Sequence, residues 1–516
     1  MGKNNFKVYT PSKYAEIITT LALKYYFQDV YSKKQLDKLR IIDLSCGTGN
    51  LLCLTLEKLI KISFKINGEY SYNPSWIQGY DLDKNAGEKF QRNVFEILKK
   101  YNLNGEILFE NKDGILSDIN EKYDIVLGNP PYIGEKNNKE LFSKIKETDF
   151  GKLYYESKMD YFYFFIEKAI EILKPDGILS YITTNYWLKA DSGKTLRYFL
   201  RRNGKFLEIN NFNMSVFEEA PGQHNVIFLW KKTNDNLISN SKDFKVNVTL
   251  ENINFIMREE DLYSSEEKIL LIKENDLKFN KRIEDKSNYK LNELFHVNQG
   301  IISGCDKAFV LKEYDKKFKE YLKPMYKNKD ILKYSYTKEN KFWILYIDKN
   351  VKINSYLRNH LLEYREKLEN RREVKSGRIS WYELQWSRKE NIFLEEKIIV
   401  RQRCKTNLFA YSNEPFYGSA DIYYLTPKET GFNIFYILGF LNSDVFYRWY
   451  KLNGKSKGYN LEFYSTPLKE IPIYYPDNTS EIQYIENLVR DQIKIYCESR
   501  QDKINSYFKN IFKQVK

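Results

Sequence analysis

An apolar run that ends in an acid and a glycine-rich turn constrains the fold of this chain more than any other feature. Residues 39–44 are rich in Ile and Leu, which is typical of a buried parallel strand. Gly47 and Gly49 follow, and glycine allows the tight turn and the close ligand approach that other residues adopt less readily. Residues 50–60 carry Leu at helical spacing. A strand, a tight turn and a helix open a doubly wound α/β fold, whose ligand lies at the carboxyl end of the strand.

The turn itself predicts a nucleoside-bearing ligand. Its glycine pattern is shorter than the Gly-x-Gly-x-x-Gly of a dinucleotide site. An acidic strand end before Gly-x-Gly suits a cationic sulfonium better than a pyrophosphate. The residues of the turn that we expect to line the site are Asp43, Ser45, Cys46, Gly47, Gly49 and Asn50.

Two further acidic positions follow predicted strands. Residues 77–83 read as the second strand, and Asp81 at its end can accept both ribose hydroxyls of an adenosyl group. The alternative is that Asp81 or Asp83 caps the next helix. Asp113, before Gly114, follows a third apolar stretch and either accepts from the adenine amine or is an ordinary turn aspartate.

Asn129-Pro130-Pro131-Tyr132 follows a fourth predicted strand, residues 123–128, and can hold a planar amine. An exocyclic purine amine is a poor nucleophile because its lone pair is delocalised into the ring. The Asn129 side-chain oxygen and the Pro130 carbonyl can accept both amine hydrogens, which localises that lone pair. The prolines stiffen the turn, and Tyr132 can stack on the ring. Together with the predicted site for a cationic sulfonium, this motif predicts methyl transfer from S-adenosylmethionine to an exocyclic amine.

These motifs, in this order, resemble the γ-type adenine-N6 DNA methyltransferases. Tyr9-Thr10-Pro11 is similar to the N-terminal cofactor segment of that family. The resemblance implies a target adenine rotated out of duplex DNA, with an aromatic on its second face; Phe217 is our candidate, and ordinary core packing is the alternative. It implies that the following residues bind S-adenosylmethionine: Tyr9, Thr10, Pro11, Asp43, Ser45, Cys46, Gly47, Gly49, Asn50, Asp81, Leu82, Asp113, Gly114 and Asn129.

The C-terminal half resembles the target-recognition region of the same family. Residues 299–309, 368–373 and 381–386 are similar to that region, in particular to solitary clostridial adenine methyltransferases. The net charge of +14 fits a polyanionic partner, double-stranded DNA, although a generic basic cytosolic protein is an alternative. Basic and aromatic residues interleave from Arg365 to Lys405, where a solvated charged face is the alternative to DNA binding. The residues that we expect to bind DNA are Arg371, Arg372, Lys375, Arg378, Trp381, Tyr382, Trp386, Arg401 and Arg403.

The predicted organisation is an S-adenosylmethionine-dependent, Rossmann-like α/β methyltransferase domain followed by an α+β recognition domain. The boundaries are 1–235 for the catalytic domain, 236–290 for a connector, 291–475 for the recognition domain and 476–516 for a helical segment. The cofactor segment begins at Tyr9, so we expect no nuclease upstream of it. We expect a solitary methyltransferase, or one that works with a separate endonuclease.

Composition and motif spacing exclude several other classes. The five cysteines form no Cys-x-x-Cys pair, and we expect neither a metal nor disulfides. No apolar run approaches a membrane span, and we expect a monomeric, cytoplasmic, nucleoid-associated protein. Methyltransferases of RNA bases and of protein glutamine also carry Asn-Pro-Pro-Tyr, but they usually need a shorter C-terminal part. A non-catalytic DNA-specificity module is a further alternative, which the intact motifs disfavour.

Overall fold

The computed structural model describes residues 10–28, 30–218, 220–233, 245–263, 268–428, 431–457 and 460–513. The chain divides into two compact units, Met1–Glu274 and Asn275–Lys516. Tyr9 and residues 234–244 and 264–267, which include parts of the predicted connector, lie outside the described residues. None of the helices in the described ranges is long and apolar enough to cross a bilayer.

The first unit is built on one sheet, which has nine strands within the described ranges. The strands are β1 (Ile41–Asp43), β2 (Ile77–Tyr80), β3 (Leu108–Glu110), β4 (Tyr123–Gly128), β5 (Leu173–Thr184), β6 (Gly204–Asn211), β7 (Asn225–Lys232), β8 (Lys245–Leu250) and β9 (Ile253–Arg258). Their order across the sheet is β3-β2-β1-β4-β5-β7-β6-β8-β9.

The strand order reverses between β1 and β4. From β1 the chain proceeds outward to β2 and β3, then returns to place β4 on the other side of β1. These pairings and that of β4 with β5 are parallel, whereas β7 lies antiparallel between β5 and β6. The carboxyl ends of the parallel strands meet at one edge, and ligands of such sheets bind where the order reverses.

Helices cover the sheet and bury its apolar side chains. They are α1 (Ser12–Phe27), α2 (Lys33–Lys38), α3 (Asn50–Asn67), α4 (Lys84–Lys100), α5 (Lys139–Lys146), α6 (Asp149–Tyr154), α7 (Phe162–Ile172) and α8 (Lys194–Asn203). The helix predicted from residue 50 is α3, which begins after Gly49 and ends at Gly68, both with left-handed backbone. Its leucines pack with α1, α4 and the strands in one core.

The structure confirms the predicted α/β class and moves some boundaries. The fourth predicted strand, 123–128, is β4 in full, and the first is shorter than the predicted 39–44. The strands β8 and β9 lie within the stretch 236–290 that we predicted as a connector, and they extend the sheet of the first unit. The division between the units falls after Glu274.

The second unit contains several small sheets. Its strands are β10 (Tyr289–Lys290), β11 (Phe295–Gln299), β12 (Val310–Leu311), β13 (Leu322–Tyr326), β14 (Phe342–Leu345), β15 (Lys397–Arg401), β16 (Arg403–Cys404), β17 (Phe409–Ser412), β18 (Tyr417–Gly418), β19 (Ile422–Pro427), β20 (Lys455–Lys457), β21 (Asn460–Glu462) and β22 (Pro472–Ile473). The two four-stranded sheets have the orders β11-β19-β15-β17 and β12-β14-β13-β18.

The α-helices of the second unit pack around these sheets. They are α9 (Glu274–Lys286), α10 (Leu291–Leu294), α11 (Asp306–Phe309), α12 (Ser355–Leu362), α13 (Arg365–Glu369), α14 (Arg372–Lys375), α15 (Asn391–Leu394), α16 (Ile434–Leu441), α17 (Asp444–Asn453), α18 (Ser465–Lys469), α19 (Thr479–Lys494) and α20 (Glu498–Ile511). The last two helices, in the predicted helical segment 476–516, bury Ile485, Val489 and Phe508 in the core of this unit.

Candidate active site

The glycine-rich turn is held by the ends of β1 and β2. The Gly47 amide donates to Asp81 Oδ2 at 2.7 Å, and the Cys46 amide donates to the Tyr80 carbonyl at 2.8 Å. From the other side, Asp43 Oδ1 accepts from the Ser45 amide at 2.9 Å. Gly47 and Gly49 both have left-handed backbone, as a turn this tight requires. The turn is therefore a fixed shape before any ligand binds.

Asp81 and Asp83 have different partners. Asp83 caps α4 by accepting from the Asn85 and Ala86 amides, which is the capping role that we considered for either residue. Asp81 Oδ1 accepts from the Asp83 amide at 2.8 Å. Each carboxylate oxygen has further acceptor capacity, and the side chain of Asp81 is only partly buried, so it can also accept from ligand hydroxyls. Leu82 beside it is 70% exposed.

The side chain of Asp43 is buried, and ionising a carboxyl group in such a poorly solvated place costs free energy. Burial, and secondarily the negative charge of Asp81, raise the pKa of Asp43 from 3.8 to about 7. A cation brought to this position favours the ionised carboxylate, because the two charges attract in a poorly solvated site.

Asp113 and Gly114 complete this edge of the sheet. Asp113 Oδ1 accepts from the Ile115 and Leu116 amides, as a turn aspartate does. Gly114 lies so close to the glycine-rich turn that an added Cβ would be 2.2 Å from the Leu44 carbonyl oxygen. Asn111, which the sequence did not single out, donates from Nδ2 to the Asp81 carbonyl at 2.8 Å.

The Asn129-Pro130-Pro131-Tyr132 loop begins directly after β4. Asn129 Nδ2 donates to Thr10 Oγ1 at 3.1 Å, so the structure places Thr10 beside this loop. Pro130 is buried, and Pro131 is partly buried. The neighbouring Pro11 accepts from the Tyr14 and Ala15 amides at the start of α1.

The Tyr132 hydroxyl has two acceptors in reach. Asn129 Oδ1 lies 2.8 Å away and the Ile182 carbonyl 3.1 Å away, and the single hydroxyl proton can donate to either. Burial, with the charge of Asp160, holds the pKa of Tyr132 well above its ordinary value. The hydroxyl therefore remains a donor.

Asp160 fixes the backbone that follows the loop, and sequence reasoning missed it. Its Oδ1 accepts from the Ile133 amide at 2.8 Å, and its Oδ2 accepts from the Tyr186 hydroxyl at 2.6 Å. The sequence did not single it out, because the five aromatic residues that follow, 161–165, dominate the pattern there. A lone acid just before an aromatic, apolar helix was the available signal.

Phe217 lies in the hydrophobic core with its ring against that of Tyr132. The side chain is 2% exposed, and the two ring centroids are 6.1 Å apart at 62°. The loop before β7 that carries Phe217 is ordered by Asn225, whose Oδ1 accepts from the Val216 amide. The structure therefore places Phe217 beside Tyr132.

The predicted DNA-binding residues of the second unit fall into two groups. Arg371 is buried, and its guanidinium donates to the carbonyls of Leu368, Ser303, Glu383 and Trp381. Arg401 donates to the Ile331 and Lys329 carbonyls, and Arg403 pairs with Glu462 at 2.7 Å. These three guanidiniums hold backbone and side chains within the unit.

The other group faces solvent. Arg372, Lys375, Arg378 and Trp386 are exposed, and Trp381 and Tyr382 are partly buried. The guanidinium carbons of Arg378 and Arg388 lie 5.6 and 5.8 Å from the Trp386 ring centroid, distances at which a cation attracts an aromatic ring. Arg365 is placed in the same way on Trp381.

Known proteins resemble both units. Residues 22–217 match the Eco57I restriction-modification methylase, and residues 323–473 match the TaqI-like C-terminal specificity domain. The chain is 30% identical over 417 residues to the Type II methyltransferase M.HindII of Haemophilus influenzae, which covers 73% of this chain and 80% of that protein. This chain is a member of the Type II methyltransferase family.

More distant members cover almost the whole chain. The Type II methyltransferase M.BanIII of Aneurinibacillus aneurinilyticus is 23% identical over 555 residues, 93% of this chain and 91% of that protein. The Type IIL restriction-modification enzyme MmeI, solved in complex with DNA, shares the fold. It is 14% identical with a TM-score of 0.68, and the match covers 97% of this Type II methyltransferase and 75% of that chain.

Proposed function

We propose that this Type II methyltransferase transfers a methyl group from S-adenosylmethionine to the exocyclic N6 amine of an adenine at specific sites in double-stranded DNA. One observation carries the proposal: the Asn129 loop at the end of β4 lies beside the glycine-rich turn at the end of β1. These two strands are paired, at the point where the strand order reverses. A methyl donor and an amine acceptor can meet there.

The residues around the turn fit S-adenosylmethionine. The carboxylates of Asp43, Asp81 and Asp113 lie at or after the ends of neighbouring strands, and such a set of acceptors suits a ligand with cationic groups and ribose hydroxyls better than a phosphate. When bound, S-adenosylmethionine supplies a methyl group on a positively charged sulfur. The turn residues that hold it include Ser45, Cys46, Gly47, Gly49 and Asn50, and Leu82 offers an exposed apolar surface to a nucleoside ring.

Asn129 and Pro130 prepare the amine for attack. The Asn129 oxygen and the Pro130 carbonyl accept the two amine hydrogens, and the nitrogen lone pair is thereby directed away from the ring system. Thr10 fixes the orientation of the Asn129 amide through Nδ2. After transfer the nitrogen loses a proton to water, so no tuned base is needed.

Tyr132 can release Asn129 when the amine arrives. Its hydroxyl proton turns to the Ile182 carbonyl, 3.1 Å away, which leaves the Asn129 oxygen to the amine. The Tyr132 ring then stacks on the adenine. An amine inside a duplex cannot reach this loop, so the base must be rotated out of the stack. Phe217, whose ring contacts Tyr132, is the proposed second stacking partner once the base separates the two rings.

We propose that the second unit selects the DNA site. The exposed Arg372, Lys375, Arg378 and Trp386 offer phosphate attraction, guanine contacts and stacking. Trp381 and Tyr382 lie in the same segment. Arg371, Arg401 and Arg403 act in this proposal by shaping the unit around those contacts. The protein works as a cytoplasmic monomer on nucleoid DNA, alone or with a separate endonuclease.

A comparison of three substrate classes tests this proposal. Tritiated S-adenosylmethionine is incubated with the purified protein and with duplex DNA, structured RNA or a protein lysate, each sample treated with the matching nuclease or protease as a control. We expect acid-precipitable tritium in duplex DNA only. Incorporation into RNA or protein without DNA labelling would replace the proposal by one of the other methyltransferase classes.

A further inference from the structure

Tyr186 is an exposed aromatic side chain at the same edge of the sheet as the Asn129 loop. It lies two residues after the end of β5, the strand that pairs in parallel with β4. Its side chain is 41% exposed. The carboxyl ends of two adjacent parallel strands therefore present Tyr186 and Asn129 on one side of the unit.

The hydroxyl of Tyr186 is fixed by a buried carboxylate. Asp160 is 6% exposed, and its Oδ2 accepts from the Tyr186 hydroxyl at 2.6 Å. The other oxygen of the same carboxylate holds the Ile133 amide, directly after Tyr132. Burying a carboxylate is costly unless it is hydrogen-bonded, so this pair is a built element rather than a chance surface contact. It fixes the position of a side chain that remains 41% exposed.

A series of ring contacts joins Tyr186 to Tyr132 in the Asn129 loop. The Phe162 ring lies 6.2 Å from that of Tyr186 and 5.8 Å from that of Tyr132, centroid to centroid. Tyr132 contacts Phe217 in turn. Tyr186 is the exposed end of this series, one ring removed from the residue proposed to stack on the target base.

We propose that the Tyr186 ring stacks on a nucleobase of the DNA next to the extruded adenine, with Asp160 as its positioning residue. The inference rests on the proposed function, because it needs a DNA target at the Asn129 loop. A rotated-out base leaves its neighbours without one stacking partner, and every base has a π-face that an aromatic side chain can cover. A ring held in advance by Asp160 loses little freedom when it does so.

Kinetics with a matched control tests the stacking role. Tyr186→Leu keeps an apolar side chain without a π-face, Tyr186→Phe keeps the ring without its tie to Asp160, and Tyr198→Leu on α8 is the control. Tyr198 is 52% exposed and matches the size of the deleted group. The substrate is a duplex carrying the methylated site found by sequencing host DNA.

We expect Tyr186→Leu to raise the KM for duplex by about tenfold, the usual size of one lost aromatic–base stack. Tyr186→Phe should raise it by a smaller factor. The KM for S-adenosylmethionine should stay within twofold for all three variants, and Tyr198→Leu should match the wild type. The melting temperatures of wild type and Tyr186→Leu show whether both proteins are folded. If they are folded and their KM values for duplex are equal, the inference is overturned.

A spectroscopic measurement covers the case in which Tyr186→Leu is unstable. 2-Aminopurine is placed in turn on each side of the target adenine, and its fluorescence is recorded with wild type and with Tyr186→Phe and Tyr186→Trp. Stacking predicts quenching at one of these positions, strengthened by Trp. Fluorescence that is the same for all three proteins at both positions would reject the stacking contact. Wild-type protein that methylates no DNA would instead reject the proposed function itself.

Discussion

The Tyr132 side chain combines two roles that a single substitution can separate. Its ring contacts Phe217 and Phe162, whereas its hydroxyl can donate either to the Asn129 side-chain oxygen or to the Ile182 carbonyl. If the ring stacks on the target base and the hydroxyl only yields its place at Asn129, the ring matters more for turnover than the hydroxyl does.

We predict that Tyr132→Phe keeps methyl-transfer activity within about fivefold of wild type, whereas Tyr132→Ala loses roughly 30-fold or more in kcat/KM through the lost stack. Single-turnover methylation of duplex DNA measures both. Equal losses in the two variants would show that the hydroxyl, not the ring, carries the effect.

Asp43 gives the cofactor site a pH dependence with a defined sign. Its pKa in the ligand-free protein is raised to about 7, mainly by burial. A cationic ligand favours the carboxylate, so binding below pH 7 must release a proton and becomes weaker as pH falls. In the absence of ligand the sign is opposite, since the raised pKa favours the folded state at low pH and this contribution is lost as pH rises through about 7.

We predict that S-adenosylmethionine binds about tenfold more weakly at pH 6 than at pH 8, the limit for one coupled proton with a pKa near 7. Asp43→Asn, which can still accept from the Ser45 amide, should bind with an affinity that is flat over this range. Titration calorimetry decides the matter: the same pH slope in both proteins would assign the dependence to another group.

For single residues, the sequence predicted the chemistry of the site but not which side chains are buried. The motif after the fourth predicted strand identified Asn129 by its chemistry, whereas Thr10 was a candidate cofactor ligand only through the family resemblance. The sequence did not separate Arg371, whose donors are used by backbone carbonyls, from the exposed Arg372 beside it. Adjacent arginines look alike in a sequence, and only the path of the chain decides which one is enclosed.

At the scale of elements, the glycine-rich turn depends on the segment after β3. An added Cβ at Gly114 would meet the Leu44 carbonyl at 2.2 Å, and backbone atoms on both sides would have to move. Leu44 directly follows β1, so the displacement reaches the turn that we propose holds S-adenosylmethionine.

We predict that Gly114→Ala weakens S-adenosylmethionine binding by at least about fivefold, because a forced backbone shift typically costs about 1–3 kcal/mol. Gly222→Ala is the matched control, since nothing lies within 4 Å of its added Cβ. Circular dichroism first shows that both variants are folded. Calorimetry should then show the loss of S-adenosylmethionine affinity in Gly114→Ala alone. Wild-type affinity in Gly114→Ala would mean that the turn tolerates the displacement.

The order of elements was predictable where a buried strand ends in a motif. β1, β2, β3 and β4 all lie where apolar runs precede an acid, glycine or Asn-Pro-Pro-Tyr. β8 and β9 were not predicted, because the mixed and charged stretch 236–290 was interpreted as a connector; in the structure β8 alternates exposed and buried residues and β9 is mostly exposed. β8 pairs with β6, and β9 pairs with β8. The pairing of β8 with β6 is a long-range contact, which local patterning does not reveal.

At the scale of the whole molecule, each compact unit matches a different family model. The methylase match, 22–217, lies within the first unit and the specificity-domain match, 323–473, within the second. The +14 net charge favours a polyanion for the chain as a whole. The proposed division of work, chemistry in one unit and site selection in the other, follows from these assignments.

The identity of the methylated base tests the account most directly. DNA from a methylation-deficient host that expresses the protein is digested to nucleosides and analysed by mass spectrometry, alongside DNA from a host that expresses Asn129→Ala. We predict N6-methyladenine with the wild type and a loss of at least about 100-fold with Asn129→Ala, as for one preorganised acceptor removed from a transition state. Methylated cytosine instead of N6-methyladenine, or equal N6-methyladenine from both proteins, would contradict the account.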